Sequence, residues 1–288
     1  MKDVAFGQYY PAGSVIHRMD ARAKLIFTML YMVMIFFVVS YTAYAAIVLF
    51  VLSVTLIARI PPRMLVKSVR AILFILIFTA ILNLFFYSSG NVLVDWWIIR
   101  ITDQGVDFSI KMIFRLTMLV MGTSLLTFTT TPTELTDAIE SLLTPLKWIK
   151  VPVHDIALIM SIALRFIPGL IDETDKIVMA QKARGASIDT GNFLQKVKAM
   201  VPVLIPLFVS AFRRADELAD ALDARCYSAS PKRTKMKVLR FHWRDLVGLL
   251  VVAGLMTLIL LDKYLVGGEG LVAGVDRYVW AWIKSWFA

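Results

Sequence analysis

Two arginines at equivalent positions of an internal repeat are the residues of this chain best suited to bind a partner. Two stretches 41 positions apart align, and they end in Ala183-Arg184-Gly185 and Ala224-Arg225-Cys226. An arginine side chain presents five donors on a planar fork that matches the carboxylates of a cleft. Each arginine could instead complement the negative carboxyl end of its own helix, with Gly185 as a C-cap. Because the feature occurs twice, we favour two coupling sites for two similar partners.

The sequence predicts no catalytic, cofactor-binding or metal-binding site beside these arginines. It contains no G-x-x-x-x-G-K-[ST] phosphate loop, no G-x-S-x-G elbow and no Ser-His-Asp arrangement. The single cysteine, Cys226, excludes an internal disulfide. Three histidines lie in separate segments without metal-ligand spacing: they are His17, His154 and His242. A membrane-embedded enzyme is therefore the weakest of the function classes considered.

The composition is that of an integral membrane protein. Hydrophobic residues make up 59% of the chain, and the mean hydropathy is +0.73, both far above the range of soluble domains. The net charge of +10 fits basic loops beside the lipid bilayer better than a nucleic-acid partner. We expect no nucleic-acid binding.

Uncharged stretches predict five transmembrane helices and an all-α fold. The first stretch, 25–58, is too long for one span and is expected to turn near Ser40-Tyr41-Thr42. The remaining stretches are 71–94, 116–133 and 246–261. The spans lack central ionisable side chains, which argues against a substrate pathway through the chain and favours an adaptor.

Charge asymmetry orients these spans. With a cytoplasmic amino terminus, the cytoplasmic segments hold 25 of the 31 Lys and Arg residues. The predicted domains are the amino-terminal segment with helices 1–4 (1–133), a cytoplasmic domain with two coupling helices (134–245), helix 5 (246–262) and an external tail (263–288). We expect Tyr278, Trp280, Trp282 and Trp286 to hold the tail at the membrane interface.

Prolines predict several short helices within 134–245. The first is expected to begin at Pro132, capped by Thr131 or Thr133. The region 134–245 contains two apolar stretches, 156–171 and 199–212, which are interpreted as too short or too polar to span the membrane. The prolines expected to divide the region are Pro145, Pro152, Pro168, Pro202 and Pro206. His17 and Asp20 are expected to hold the amino-terminal segment against these cytoplasmic helices.

Four segments resemble the transmembrane T component of energy-coupling factor (ECF) transporters, which are importers of vitamins and metal ions in the ATP-binding-cassette class. They are Ser14–Leu25, Pro132–Leu135, Leu164–Pro168 and Gln181–Gly185. The amino-terminal signature favours the type shared by several substrate-binding subunits over the dedicated cobalt or nickel type. The sequence departs from the family pattern at Cys226, where glycine is usual, and at Ala21, where proline is common.

The resemblance implies a non-catalytic scaffold in the plasma membrane of a prokaryote. Its coupling helices would cross beneath the membrane and insert Arg184 and Arg225 into two ATPase subunits. A small membrane protein, the S component, would bind the substrate and so choose it. The alternative function is a self-sufficient carrier or channel that uses the spans directly.

Overall fold

The computed structural model describes residues 9–86, 92–96, 99–149, 152–186, 192–227, 241–265 and the single residue 281. Within these ranges the chain forms nine α-helices, two strands and the short 3-10 helix Thr144–Ile149. The elements in chain order are α1 (Ala21–Phe37), α2 (Tyr41–Ala58), α3 (Pro62–Ala71), α4 (Leu73–Phe86), β1 (Val92–Trp96), β2 (Ile99–Thr102), α5 (Asp103–Thr129), α6 (Pro132–Leu143), α7 (Val153–Ala183), α8 (Phe193–Ala224) and α9 (Trp243–Leu265).

The predicted fold class, an all-α integral membrane protein, is confirmed. Five helices are long and apolar enough to cross a membrane, namely α2, α5, α7, α8 and α9. The pair α3–α4 is also long and apolar enough when taken together, but it bends by 56°. Helix α1 has 17 residues, which is the short end of the usual range for a span. The strands β1 and β2 form one small antiparallel pair that the sequence did not indicate.

Several predicted boundaries are confirmed and others are wrong. Ser40 caps α2 by accepting the Ala43 N–H at 3.2 Å, so the turn between the first two spans lies where it was predicted. Thr131 Oγ1 accepts the Glu134 N–H at 3.3 Å and caps α6. The predicted span 71–94 is wrong, because α4 ends at Phe86 and β1 begins at Val92.

The prediction that five prolines divide the region after α6 is correct for two of them and wrong for three. Pro145 lies in the 3-10 helix Thr144–Ile149 that separates α6 from α7, and Pro152 is the N-cap of α7. Pro168 lies inside α7, which has 31 residues, and Pro202 and Pro206 lie inside α8, which has 32. An internal proline removes one helical hydrogen bond and usually kinks the helix, but here both helices continue. The apolar stretches 156–171 and 199–212 are therefore parts of helices long enough to span a membrane, which overturns the argument that they are too short.

The chain forms two compact units. The first, called the span unit below, contains the described residues of Gly7–Ala138 and Leu239–Ala288. Its core lies between α1, α2, α5 and α9, and the largest side chains buried there include Met34, Ile35, Ile47, Phe128 and Ile259. Burial of such aliphatic and aromatic side chains stabilises each by about 1.5–3 kcal/mol where water is the alternative.

The second unit, called the helix-pair unit below, contains the described residues of Ile139–Val238. Its main elements are α7 and α8, which pack against each other. Among its described residues, Val153, Val203 and Ser210 are buried. The unit therefore presents most of its apolar surface outward. The predicted location of 134–245 in the cytoplasm stays a prediction.

Some sequence predictions fall outside the described residues. They concern the aromatic tail with Tyr278, Trp280, Trp282 and Trp286. Helix α9 continues to Leu265, so the described part of the chain extends the fifth predicted span by three residues beyond 262.

Candidate functional site: two arginine tips on a crossed helix pair

The carboxyl end of α7 has a complete hydrogen-bonded cap. Ala183 is the last helical residue and Arg184 is the C-cap. Gly185 follows in the left-handed conformation, with φ +90°. Its N–H donates to the Lys182 carbonyl at 3.0 Å, and the Ala186 N–H donates to the Gln181 carbonyl at 3.0 Å. This is the Schellman arrangement, which satisfies the last carbonyls of a helix.

The carboxyl end of α8 repeats this arrangement 41 positions later. Arg225 is the C-cap, and Cys226 takes the left-handed position with φ +54°. The Cys226 N–H donates to the Asp223 carbonyl at 2.8 Å, and the Tyr227 N–H donates to the Leu222 carbonyl at 2.9 Å. The two tips therefore share one backbone geometry. The departure from the family pattern at Cys226 therefore leaves the hydrogen bonds of the cap unchanged.

The substitution of cysteine for glycine has an energetic consequence. A residue with a Cβ atom in the left-handed conformation costs roughly 1–2 kcal/mol, because its Cβ crowds the following carbonyl oxygen. Glycine adopts the same conformation without this cost. The end of α8 at Cys226 is therefore strained where the end of α7 at Gly185 is not.

Both predicted arginines are exposed. All six residues of the predicted tips are solvent-exposed in their units: Ala183, Arg184, Gly185, Ala224, Arg225 and Cys226. Among the residues that the structure describes, neither guanidinium forms an ion pair. The backbone of each arginine caps its helix while the side chain is available to a partner, so the capping and coupling roles do not exclude each other.

Helices α7 and α8 contact each other through a partly buried ion pair. Arg214 of α8 donates to the carboxylate of Glu173 on α7, and the Ser210 hydroxyl donates to the same carboxylate. Gly169 faces the guanidinium, since a Cβ atom there would lie 3.1 Å from Arg214 Nη1. The absence of a side chain at position 169 makes room for the arginine.

These contacts have two-fold symmetry within the repeat. The 41-residue offset makes Glu173 equivalent to Arg214 and Gly169 equivalent to Ser210. Glu173 therefore contacts its own equivalent, Arg214. The other two contacts, of Gly169 with Arg214 and of Ser210 with Glu173, are reciprocal. Reciprocal contacts of this kind are the mark of an isologous, two-fold interface. The repeat is thus visible as a symmetric crossing of the two helices.

The symmetry gives the two arms equal length. Arg184 follows Glu173 by 11 residues, and Arg225 follows Arg214 by 11 residues. At a helical rise of 1.5 Å per residue, each tip lies about 16 Å from the crossing. The two arginines therefore lie at equal distances along their helices from the Glu173–Arg214 contact.

The ion pair at the crossing was missed by the analysis of the sequence. A signal for it was present, because the alignment that pairs Arg184 with Arg225 also pairs an acidic residue, Glu173, with a basic one, Arg214. Where two helices are related by a two-fold axis, the residue at the axis contacts its own equivalent on the other helix. Opposite charges at these two positions therefore attract each other.

The amino-terminal signature is a structural element of the span unit. Asp20 caps α1 by accepting the Arg22 N–H at 3.0 Å, and its own N–H donates to Asp245 Oδ1 at 3.0 Å. Lys24 Nζ donates to the carbonyls of His17 at 3.1 Å and Thr129 at 2.9 Å. The predicted structural role of this segment is thus observed. Its partners in these bonds are the ends of α5 and α9, not the coupling helices.

The His17 ring makes two hydrogen bonds. Its Nε2 donates to the Tyr10 carbonyl at 2.7 Å, and its Nδ1 lies 2.8 Å from the Ser14 hydroxyl oxygen. Burial lowers the pKa of His17 below its ordinary value of 6.5. His154 pairs instead with Glu140, at 3.1 Å. Among the described residues, no cluster of His, Cys, Asp or Glu could hold a metal ion.

Comparison with known proteins places the chain in a family. The sequence model of the CbiQ family, described as "Cobalt transport protein", matches residues 12–236. A protein of Ruminiclostridium cellulolyticum named "Energy-coupling factor transporter transmembrane protein EcfT" is 48% identical over 264 residues, which cover 92% of this chain and 98% of that protein. Proteins of the same name are 44% identical in Clostridium kluyveri (91% and 98% covered) and 42% identical in Staphylococcus aureus (90% and 96% covered).

These matches confirm the resemblance drawn from the four sequence segments, and they extend it over most of the chain. Together with the five long apolar helices, they make this a multi-pass membrane protein of a transporter. The chain belongs to the EcfT family of transmembrane components of energy-coupling factor transporters.

Proposed function

We propose that the chain is the non-catalytic coupling scaffold of an ECF importer for vitamins or other micronutrients. It transmits a conformational change of two ATP-binding-cassette ATPase subunits to a substrate-binding S component. The observation that carries this proposal is the pair of exposed arginine tips, with matched caps, at equal distances from a symmetric crossing. Two equivalent tips suit two related ATPase subunits, each with an acidic groove for one guanidinium.

The crossing explains how motion of the ATPases reaches the membrane. Each tip lies about 16 Å from the Glu173–Arg214 contact, so a displacement of the tip rotates the helix about that contact. Because the helices continue through Pro168, Pro202 and Pro206, the rotation is carried into their apolar halves. ATP-driven approach of the two ATPases thereby moves both helices together.

The apolar half of α8 provides the surface for the S component. Exposed apolar side chains recur there at three- and four-residue spacing, which places them on one helix face: Leu194, Val197, Val201, Ile205, Phe208 and Phe212. A face of this size in water would be unfavourable. A small membrane protein with an apolar surface is the partner whose chemistry matches it, and its movement against this face would release substrate inside the cell.

The proposed orientation follows from charge. Of 31 Lys and Arg residues, 25 lie in the three segments assigned to the cytoplasm, which is the asymmetry that directs insertion. The amino terminus and both arginine tips are then on the side of the membrane where ATP is hydrolysed.

Charge reversal at each tip tests the proposal. We expect Arg184→Glu and Arg225→Glu each to reduce copurification of the ATPases and coupled uptake, while insertion into the membrane stays normal. Arg213→Glu is the matched control, because Arg213 lies on the same helix pair and is 72% exposed in its side chain but is not at a tip. Normal assembly and transport in both tip variants would refute the coupling role.

Reconstitution of the chain alone separates a scaffold from a self-sufficient carrier or channel. A scaffold conducts no substrate without its ATPases and S component, so liposomes containing only this chain should show the flux of empty liposomes. Substrate flux through the chain alone would favour the carrier instead.

A further inference from the structure

The span unit contains an apolar slot between α1, α2, α5 and α9. Its volume is about 270 Å³, which is near the lower end of the range for small-molecule pockets, roughly 300–1,000 Å³. It extends over eight residues of α5, from Thr129 to Gly122, and over eight residues of α1, from Lys24 to Tyr31. At 1.5 Å per residue, the slot is about 10 Å deep.

Two glycines shape its walls. A Cβ atom at Gly122 would lie 2.0 Å from the Tyr31 ring, and one at Gly248 would lie 2.8 Å from the ring of Phe27. Both rings line the slot. The glycines therefore let the aromatic side chains lie against the helix backbones instead of filling the space between the helices.

The charge of the slot is confined to one end. Of the described residues that line it, Lys24 and Arg244 are charged, and both lie in the first turn of their helices. Lys24 is buried and donates to two carbonyls. Arg244 is exposed, and within the described ranges no carboxylate forms an ion pair with it. The carboxylates of Asp20 and Asp245 lie at the same end and accept backbone N–H groups. The slot thus has an apolar interior and, in Arg244, an exposed cation at its mouth.

The slot is too narrow to enclose a whole partner helix. A volume of about 270 Å³ over a depth of about 10 Å leaves a mean cross-section of about 27 Å², whereas an α-helix with its side chains is about 10 Å across. A single hydrocarbon chain is the apolar group that fits. The exposed cation at the mouth selects an amphiphile whose head group is an anion.

We propose that this slot binds one anionic phospholipid, with the first part of an acyl chain between α1, α2, α5 and α9 and the phosphate at Arg244. Arg244 lies on the side of the bilayer where α1 and α9 begin, which sequence asymmetry assigns to the cytoplasm. Guanidinium and phosphate form paired, charge-assisted hydrogen bonds. The bound lipid fills a gap between helices and so ties α9 to α1 and α2.

Native mass spectrometry of the full chain in detergent, titrated with phosphatidylglycerol, tests the proposal. Val251→Trp fills the slot and should weaken retention of a single lipid at least ten-fold. Leu250→Trp is the matched control, because Leu250 is 63% exposed and does not line the slot. Arg244→Gln should weaken binding about five-fold, whereas Arg18→Gln, an exposed neighbour outside the slot, should leave it unchanged.

A phosphatidylglycerol with a photoreactive group near the start of one acyl chain locates the bound lipid. We expect label on the lining residues Leu126 and Val251, and loss of that label in Val251→Trp. Equal retention of lipid by Val251→Trp and Leu250→Trp would overturn the proposal. Label spread evenly over the outer faces of α2 and α4 would also overturn it, since it would show annular lipid only.

Discussion

Exchange of the two charges at the helix crossing tests whether α7 and α8 are joined by a symmetric contact. In the double variant Glu173→Arg/Arg214→Glu, opposite charges remain at the same two positions. The surroundings differ, however, because Arg214 faces Gly169 whereas an arginine at 173 would face Ser210. We therefore expect the double variant to keep part of the interaction energy. A quadruple variant that also carries Gly169→Ser and Ser210→Gly should restore the interaction energy fully.

The expected magnitude follows from the exposure of the pair. The Arg214 side chain is 36% exposed and that of Glu173 is 21% exposed. Exposed pairs contribute roughly 0.2–1 kcal/mol, and breaking a buried pair costs about 3–5 kcal/mol. A partly screened pair lies between these limits, so we expect a coupling energy of about 1–2 kcal/mol, which is a factor of about 5–30 in an equilibrium constant.

Two measurements determine this interaction. A double-mutant cycle with Glu173→Gln and Arg214→Gln, measured by chemical unfolding of the detergent-solubilised chain, gives the coupling energy. The distance between spin labels at Ala183→Cys and Ala224→Cys, in a Cys226→Ser background, reports how firmly the arms are held. With two arms of about 16 Å each, the tips cannot be further apart than about 33 Å. We expect a narrow distribution in the parent and a broad one in Glu173→Gln.

A coupling energy indistinguishable from zero, together with label distances that stay narrow in Glu173→Gln, would refute the symmetric contact between α7 and α8. An interaction energy in the quadruple variant no larger than in the double variant would also refute it, because Gly169 and Ser210 would then have no part in the symmetry.

Three further predictions concern the caps and the amino-terminal signature. Cys226→Gly should stabilise the end of α8 by about 1 kcal/mol and Gly185→Ala should destabilise the end of α7 by about as much, as measured by amide exchange of the last turn; equal exchange in both would contradict the cap assignment. Asp245→Ala leaves the N–H groups of Asp20 and His242 without their acceptor and should lower the free energy of unfolding by about 2–3 kcal/mol, whereas the exposed Asp172→Ala should change it by less than about 0.5 kcal/mol. Because burial lowers the pKa of His17 in the folded state, the unfolded chain binds a proton first as pH falls, so the contribution of His17 to stability should be constant above about pH 6.5 and decrease below it; His17→Gln should reduce the slope of stability against pH below about pH 6.5, and an unchanged slope would show that other groups cause it.

Local sequence signals predicted the features that depend on a few neighbouring residues. Ser40 caps α2 because its hydroxyl lies three residues before the N–H that it accepts, and such spacing is readable in sequence. The left-handed position after Arg184 is likewise marked by Gly185, whereas the same conformation at Cys226 was not predicted, because it is unfavourable for a residue with a Cβ atom. These features need no knowledge of the distant chain.

Non-local contacts decided what the sequence did not predict. A proline disfavours a helix interior by about 3 kcal/mol, so Pro168, Pro202 and Pro206 indicated breaks. The packing of two helices of more than 30 residues against each other can outweigh that local cost. The packing of α7 on α8 cannot be predicted from either segment alone. The end of α4 at Phe86 was missed for a different reason, since the run without charged residues continues to Val94, although it contains the typical turn residues Ser88, Ser89, Gly90 and Asn91.

The repeat constrains the length of the arms more strictly than the residue at each cap. Exchange of glycine for cysteine at a tip changes the local backbone energy by roughly 1–2 kcal/mol and leaves the position of the arginine the same, as the shared hydrogen bonds of Gly185 and Cys226 show. Insertion of one residue between Glu173 and Arg184 would move the tip by about 1.5 Å and turn its arginine by about 100° around the helix axis. The two arginines would then no longer be related by the crossing. Equality of the arms, and not identity of the tips, is therefore the property on which the proposed two-sided coupling depends.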